Sequence, residues 1–518
     1  MLERIRLRLT PEAFADKDKI NQAIREKIGK ASAEWRLVRS SIDARQRQVW
    51  IDAEFLVAPE GEKLDETGVA KPTEYMTPGK DAPQVVIVGA GPAGLFAALR
   101  ALQLGWRPIV IERGKPVEER LHDVVALQKE QKLDPESNFC FGEGGAGAFS
   151  DGKLFTRSKK RGNVDEILAL LHRHGAKQEI LTSAHPHIGS DKLPGVIRNI
   201  REAILSHGGE VRFGTKFKEI LKTDGKAVGI KTQEGEDIYG PVVLATGHSA
   251  HDVYRSLSAS GIRLEQKGFA MGVRLEHPQK LIDSIIYHNP DGRGSFLPPA
   301  EYRMTAQVDG RGVYSFCMCP GGVIVPAMSA PGESVVNGMS ASGRSGRWAN
   351  SGMVVEIRPE DFPEYSERGE LGMLSLQEDI EKKFYEESGS INAPAQRMKD
   401  FVEGKPSKDL PKTSYVPGAH PADIASLFPA HISKRLREGL KIFGKKKKGF
   451  LTNEAILIGL ESRTSSPVRI PRDPVTLSHP DIPGLYPVGE GAGFSGGIVS
   501  SAIDGQRAMD AIAKEYTI

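Results

Sequence analysis

The chain has 518 residues, 39% of them hydrophobic and 26% charged, an ordinary globular composition with room for two to four domains of about 150 residues. A net charge of only +3 excludes a global electrostatic case for nucleic-acid or membrane binding. Three cysteines make no even disulfide framework, the start MLERIRLRLT lacks an apolar signal core, and no run reaches the roughly 18 apolar residues of a membrane span, so a soluble cytoplasmic protein with reduced thiols and no membrane partner is expected.

Residues 1–80 read as a small separate α+β domain. RIRLRLT alternates as a half-buried strand, DKDKINQAIREKIG carries Ile20, Ala23, Ile24 and Ile28 at helical spacing, and RQVWIDAEFLV is a second alternating strand. The polar stretch PEGEKLDETGVAKPTEYMTPGKDAP reads as a linker. From Gln84 the sequence QVVIVGAGPAGLFAALRALQLGWRPIVIERG reads as strand, glycine turn, helix, turn and strand. Val85–Val88 suits a parallel strand buried on both faces, and Gly105 ends the helix. Residues 191–247 repeat this logic loosely, with a helix in DKLPGVIRNIREAILSHGGE and strands in EVRFGTKFKEILK, AVGIKTQEG and PVVLATG. Residues 266–350 are rich in strands and Gly/Pro turns, residues 375–445 are helical and charged, and GKKKKG at 444–449 reads as a solvated loop tip.

Gly89, Gly91 and Gly94 form G-x-G-x-x-G where the pattern has a mechanism, after a strand and opening a helix. The first glycine makes the tight turn, the second lets backbone approach a pyrophosphate, and the third lets the helix pack on the strand. Pro92 and Ala93 start that helix, whose first N–H groups have no intrahelical partner and point at an anion. Glu112 ends the second strand 23 residues after Gly89. That is near the ~20-residue offset of a carboxylate bonding a ribose hydroxyl, and it would repel a 2′-phosphate. The turn alone does not distinguish FAD from NAD. A second glycine turn, in GLYPVGEGAGFSGGIVSSAIDG, lies 400 residues later. It carries Gly489, Glu490 and Gly491 after a short strand and opens a helix near Gly496, Gly497 and Ile498.

With both turns the chain resembles the two-loop FAD flavoproteins of glutathione-reductase type. The resemblance implies that Gly489, Glu490 and Gly491 meet the ribityl–pyrophosphate side of FAD. The following helix then points its N-terminus, carrying about half a positive charge, at the pyrimidine edge of the flavin. It also implies that Ala245, Thr246 and Gly247 lie near the adenosine half. Gly144, Gly145, Ala146, Ser150, Gly152 and Lys153 then pass under the isoalloxazine ring. Arg113, Lys216 and Phe217 complete the expected cofactor contacts. HPHIGSDKL (185–193), GVRLEHP (272–278), YSFCMCPGG (314–322), ESRTSSPVRIPRD (461–473) and VGEGAGFSGGI (488–498) are similar to a narrower group of bacterial FAD-dependent dehydrogenases with no assigned reaction. That resemblance spans nearly the whole chain.

The expected fold is therefore α/β. It combines a Rossmann-like, doubly wound FAD-binding domain at 81–267 and 451–518, an inserted strand-rich substrate or cap domain at 268–450, and a small N-terminal α+β (ferredoxin-like) domain at 1–80. The expected activity is FAD-dependent oxidoreduction of a small-molecule substrate, with hydride passing to or from a non-covalently held flavin. No second complete G-x-G-x-x-G follows a strand, so NAD(P)H is expected only as a transient electron donor. A flavoprotein acting on tRNA or RNA and a non-catalytic flavin-binding protein are the alternatives.

Because flavin itself takes the hydride, the protein contributes positioning and protonation. His185 and His187 flank a proline that enforces extended backbone, so both rings are expected on one side, where either could move a proton. Neither has further ligands at suitable spacing, so no metal is expected. Arg463 and Arg469 in ESRTSSPVR could clamp an anionic substrate or flavin oxygens, and Arg274 could do the same. Cys317 and Cys319 read as two small buried residues on one strand face, since C-x-C is not the redox C-x-x-C spacing. Cys140, just before GEGGAG, could approach the flavin.

Overall fold

The computed structural model describes residues 2–29, 34–58, 62–64, 72–156 and 162–516. Its centre is a five-stranded sheet in which every neighbouring pair is parallel, in the order Leu485–Pro487, Val242–Leu244, Gln84–Val88, Arg107–Ile111, Glu210–Arg212. One rung runs Pro487, Leu244, Val88, Ile111, Arg212, so these strands end level with one another. The chain therefore leaves the sheet along one edge at Gly89, Glu112, Ala245 and Val488. Parallel α/β sheets bind ligands outside such carboxyl ends.

Both faces of the sheet are covered, which is why its strands are apolar throughout. Val85, Ile87, Val110, Val243 and Tyr486 pack among the helices Pro92–Gln103, Leu193–Ser206 and Ile498–Tyr516. Val86, Val88, Ile109, Ile111 and Leu244 face the other way. There the cover is a three-stranded antiparallel sheet, Phe217–Thr223, Lys226–Thr232 and Asp237–Tyr239, with the helix His251–Ala259. This departs from the doubly wound expectation: one face carries a small antiparallel sheet beside a helix.

A larger, mostly antiparallel sheet holds the middle of the chain, in the order Thr305–Val308, Arg311–Pro326, Trp348–Ile357, Phe269–Pro278, Ile456–Glu461, Ala393–Arg397, Ala419–Pro421. Ile456–Glu461 belongs to this sheet although it lies past residue 450. Phe269–Pro278 is buried along nearly its whole length, and helices Gly372–Ser388 and Ala430–Lys446 contribute to the core beside it. The basic run at 444–449 is partly the last turn of Ala430–Lys446 and not solely a loop tip.

The N-terminal residues form a sheet in the order Glu3–Leu9, Trp50–Ala58, Glu34–Asp43, with the helix Lys17–Ile28 packed on it. The middle strand is antiparallel to both edges, so the edges run parallel to each other, joined through the helix. The sequence reading missed Glu34–Asp43, where polar residues obscure the alternation. Part of the expected linker, residues 59–61 and 65–71, lies outside the described residues. Its end is docked: the Met76 N–H bonds the Leu102 carbonyl at 3.1 Å, and Tyr75 bonds His174 at 2.8 Å.

Candidate functional site

Both glycine turns open onto one cavity of about 580 Å³ along the carboxyl edge of the parallel sheet. At the first turn Gly89 has φ +106°, and a Cβ there would meet the Ala245 carbonyl oxygen at 2.5 Å. A Cβ on Gly94 would lie 1.9 Å from the Gly89 carbonyl oxygen. Gly94 thus sits between helix and strand and does not line the cavity. Gly91 does line it: a Cβ there would meet only the Gly145 Cα at 3.9 Å. The helix after it opens with Pro92, which carries no N–H, and has no side-chain cap, so the N–H groups of Ala93 and Gly94 have no intrahelical partner.

The second turn mirrors the first. Gly489 has φ +78° and donates its N–H to Asp504 at 2.8 Å, and Asp504 is held by a bidentate pair with the buried Arg472. Gly496 and Gly497 line the cavity with no atom closer than 4.0 Å to an added Cβ, and Ile498 opens the helix that runs to Tyr516. Gly491 lies behind, where a Cβ would meet the Gly247 carbonyl oxygen at 2.4 Å, and it does not line the cavity. Gly505, which sequence reasoning missed, explains how the two helices share one site. A Cβ there would lie 2.0 Å from the Ala93 carbonyl oxygen, so the helices cross almost backbone to backbone.

Glu112 is buried at the cavity and already accepts N–H groups from Ala90 at 2.9 Å, Gly114 at 3.0 Å and Gly142 at 3.1 Å. It ties three loops together and keeps one of its roughly four lone-pair sites for a hydroxyl donor. Arg113 also lines the cavity but pairs with Asp252 at 2.6 Å and lies over Phe141. Lys216 serves the same surface cluster, pairing with Glu136 at 2.7 Å, and is not at the cavity, whereas Phe217 is. Ala245, Thr246 and Gly247 line it, as do Gly145 and Ala146, which lie between the two helix starts. Gly144 packs against Ile197 instead. This loop hangs on a residue the sequence did not flag. The buried Arg120 donates to the carbonyls of Asn138, Gly142, Glu143 and Gly145.

At the other end Ser150, Gly152 and Lys153 line the cavity beside residues of the large sheet. Lys153 pairs with Asp151 at 3.0 Å and donates to the Met318 carbonyl. Asp151 is also bidentate with Arg344, at 3.0 and 2.5 Å, and Arg344 reaches Glu301 at 2.5 Å. The expected pairing of His185 and His187 fails. His185 lines the cavity, exposed, stacked on Phe155 and 3.7 Å from Glu301. His187 lies off the cavity and bonds the Ser342 carbonyl at 3.2 Å. Neighbours on both sides of Pro186 are claimed by different partners, which overrides simple alternation.

The arginines are committed as well. Arg463 lines the cavity, but its guanidinium binds Glu333 at 2.7 Å, Glu381 at 2.9 Å and Ser329 at 2.6 Å. It organises the wall and is not a free anion clamp. Arg469 lies over Phe494 and does not line the cavity, and Arg274 is fully buried in a pair with Glu461. The cysteines differ from their expected shared burial: Cys319 is buried, but Cys317 is exposed with φ +41° and lines the cavity, as does Cys140.

These features fit FAD. A helix start at Pro92 with no side-chain cap, a second helix start at Ile498, open glycine edges at Gly91, Gly496 and Gly497, and an acid with a lone-pair site to spare match a dinucleotide with a pyrophosphate centre. One more residue stands ready: His248, 8% exposed, lines the cavity, and among the described residues its Nδ1 has no hydrogen-bond partner. Burial, aided by Arg463 and His251, brings its pKa down to about 3, so the ring is neutral and can both donate and accept. Glu490 lines the cavity with its carboxyl pushed up by burial to about 7, against a downward pull from Lys267. Folded Glu490 thus holds its proton more tightly than an unfolded glutamate at 4.5. Its contribution to the stability of the FAD-free protein is complete below pH 4.5 and is lost as pH rises through 7. Glu490→Gln is expected to flatten that part of the fall in the urea midpoint between those pH values.

The family model described as "FAD-dependent protein, C-terminal domain-like" matches residues 268–464, and a domain of unknown function matches residues 1–58. The chain is 43% identical over 438 residues to an uncharacterized protein of Clostridium beijerinckii, spanning 84% of this chain and 81% of that one. Among solved structures it is similar to a geranylgeranyl bacteriochlorophyll reductase-like protein from Thermoplasma acidophilum, at 13% identity, 84% and 79% coverage and a TM-score of 0.36. It is also similar to a flavoprotein/dehydrogenase from Cytophaga hutchinsonii, at 12% identity, 84% and 79% coverage and a TM-score of 0.35. TM-scores this low carry no argument about the reaction.

Proposed function

Because the chain belongs to one family with the uncharacterized Clostridium beijerinckii protein, and to the FAD-dependent flavoproteins by its matched domain at 268–464, we propose that it is an oxidoreductase that holds FAD non-covalently along this cavity and turns over a small molecule by hydride transfer. The observation that carries the reading is the convergence of two glycine turns, 400 residues apart in sequence, on one cavity between two helix starts. When bound, FAD supplies the two-electron redox chemistry. The chain's own residues do the rest. The leading N–H groups after Gly91 receive the pyrophosphate, and Glu112 accepts a ribose hydroxyl. Glu490 and His248 offer hydrogen bonds along the ribityl chain. The start of the helix at Ile498 faces the ring and favours negative charge there. Asp151, Lys153, Arg344 and Glu301 fix the floor on which substrate lies, with His185 at its exposed edge. NAD(P)H is proposed as a transient electron donor.

The test is direct. The purified protein, titrated with FAD, is expected to bind one equivalent with a perturbed flavin spectrum. Anaerobic mixing with NAD(P)H or candidate metabolites is then expected to bleach it. A correctly folded protein that refuses FAD would refute the reading, and a bound flavin that no donor bleaches would favour a non-catalytic flavin binder. His185→Asn is expected to leave the bound spectrum intact and to slow bleaching by the substrate about 100-fold, the usual scale for a lost proton-transfer group. Unchanged rates would remove His185 from the mechanism.

A further inference from the structure

Hydride transfer to or from a small molecule also moves a proton, and an irregular strand at the cavity provides for it. Arg311–Pro326 slips register against Trp348–Ile357 twice, between Phe316 and Cys319 and again between Cys319 and Gly322. At the first slip Cys317 takes φ +41°, a left-handed conformation that residues with a side chain rarely adopt. Bulges re-aim side chains, and here Cys317 is turned onto the cavity while Cys319 stays buried.

The irregularity is held from both sides. The Cys317 carbonyl accepts from Arg274 Nη2 at 2.7 Å and from the Cys319 thiol at 3.3 Å, and the Met318 carbonyl accepts from Lys153. Arg274 is itself fixed by Glu461 and Asn350. Such bracing keeps a strained residue in place where strain serves a site. A second observation at the same place is independent of the cysteine. Tyr302 lines the cavity and is only 7% exposed, and among the described residues its hydroxyl has the Ser351 hydroxyl near it but makes no full hydrogen bond. A buried hydroxyl with a weak partner beside a cavity can take a further polar atom. Cys317, Tyr302 and Lys153 thus bring three proton-bearing groups to one cavity.

Resting on the oxidoreductase reading above, we infer that Cys317 is a catalytic thiol that gives its proton to the substrate as the substrate is reduced. The S–H bond breaks, its electron pair stays on sulfur, and the proton bonds to one atom of the substrate's reducible double bond. The other atom receives the hydride, with its electron pair, from the reduced cofactor, and solvent returns a proton to the thiolate. In the oxidative direction the thiolate takes the proton back. Lys153 and Arg274, both drawn to this turn of the strand, favour the thiolate once the proton has left.

Two measurements test the inference on the full chain. Iodoacetamide labelling mapped by mass spectrometry is expected to modify Cys317 in the FAD-free protein and to be slowed at least tenfold by bound FAD. Cys317→Ala is expected to bind FAD with unchanged affinity but to bleach about 100-fold more slowly with the donor that bleaches the wild type. Cys317→Ser, which keeps a proton-bearing group, is expected to recover part of that rate. Equal labelling with and without FAD, or wild-type bleaching by Cys317→Ala, would overturn the assignment while leaving the FAD reading intact. Failure to bind FAD at all would sink that reading, and this inference with it.

Discussion

Arg274→Met is expected to lower folding stability by about 3–5 kcal/mol, read as a fall in the urea midpoint, because it strands a carboxylate inside the large sheet. Arg274 and Glu461 are 0% and 2% exposed at their side chains and bond each other at 3.0 Å through both carboxylate oxygens. Their strands, Phe269–Pro278 and Ile456–Glu461, are neighbours. Room for the pair is made by missing side chains. A Cβ on Gly338 would lie 2.2 Å from Arg274 Nη2, and one on Gly352 would lie 3.2 Å from the Glu461 carboxyl carbon. Burial already raises the Glu461 carboxyl, and Arg274 is what pulls it back. Without Arg274 the folded-state pKa moves further above the unfolded value. The variant is therefore expected to be most stable at acid pH and to lose stability as pH rises through the folded pKa. Arg274→Met combined with Glu461→Leu removes both charges and is expected to recover most of the loss. A single-variant loss under about 1 kcal/mol, the scale of an exposed pair, would mean that Glu461 is reached by water after all.

The parts of the site that were legible in the sequence are those whose chemistry is local. Gly89, Gly91 and Gly94 announce a turn because each answers a constraint set within a few residues, and Glu112 follows at the distance one helix and one turn impose. Gly489, Gly496 and Gly497 were legible for the same reason. What remained hidden depends on partners distant in sequence. Arg120 looks like a surface helix residue until four carbonyls of residues 138–145 close around it. Arg463 looks like a clamp until Glu333 and Glu381 occupy it. The exposure of Cys317 depends on register slips between two strands, which no period-two pattern encodes. Burial of an ion pair such as Arg274 with Glu461 likewise needs the glycine gaps of Gly338 and Gly352, contributed by two other strands.

Gly505→Ala is expected to weaken FAD binding between about 5- and 150-fold although Gly505 does not line the cavity. The added methyl would fall 2.0 Å from the Ala93 carbonyl oxygen and 2.9 Å from its carbonyl carbon, both backbone atoms in the first turn of the helix Pro92–Gln103. No rotamer relieves a Cβ, so the helices Pro92–Gln103 and Ile498–Tyr516 must separate. Overpacking of this kind costs about 1–3 kcal/mol, and each 1.4 kcal/mol is tenfold in affinity. The strain reaches the cofactor because both helix starts are tied into the cavity wall. Gly91 and Pro92 approach Gly145, Gly147 approaches Ile498, and Gly489 is bonded to Asp504 one residue before Gly505. Moving either helix therefore misplaces the N–H groups at one end of FAD relative to those at the other. A ligand gripped at two points loses affinity when their separation changes, even if each point is locally intact. FAD titration monitored by fluorescence gives the affinity, and circular dichroism with urea melting shows whether the fold survives. Wild-type affinity and stability in Gly505→Ala would mean that the helices have slack at their crossing. The coupling of the two turns through that contact would then be refuted.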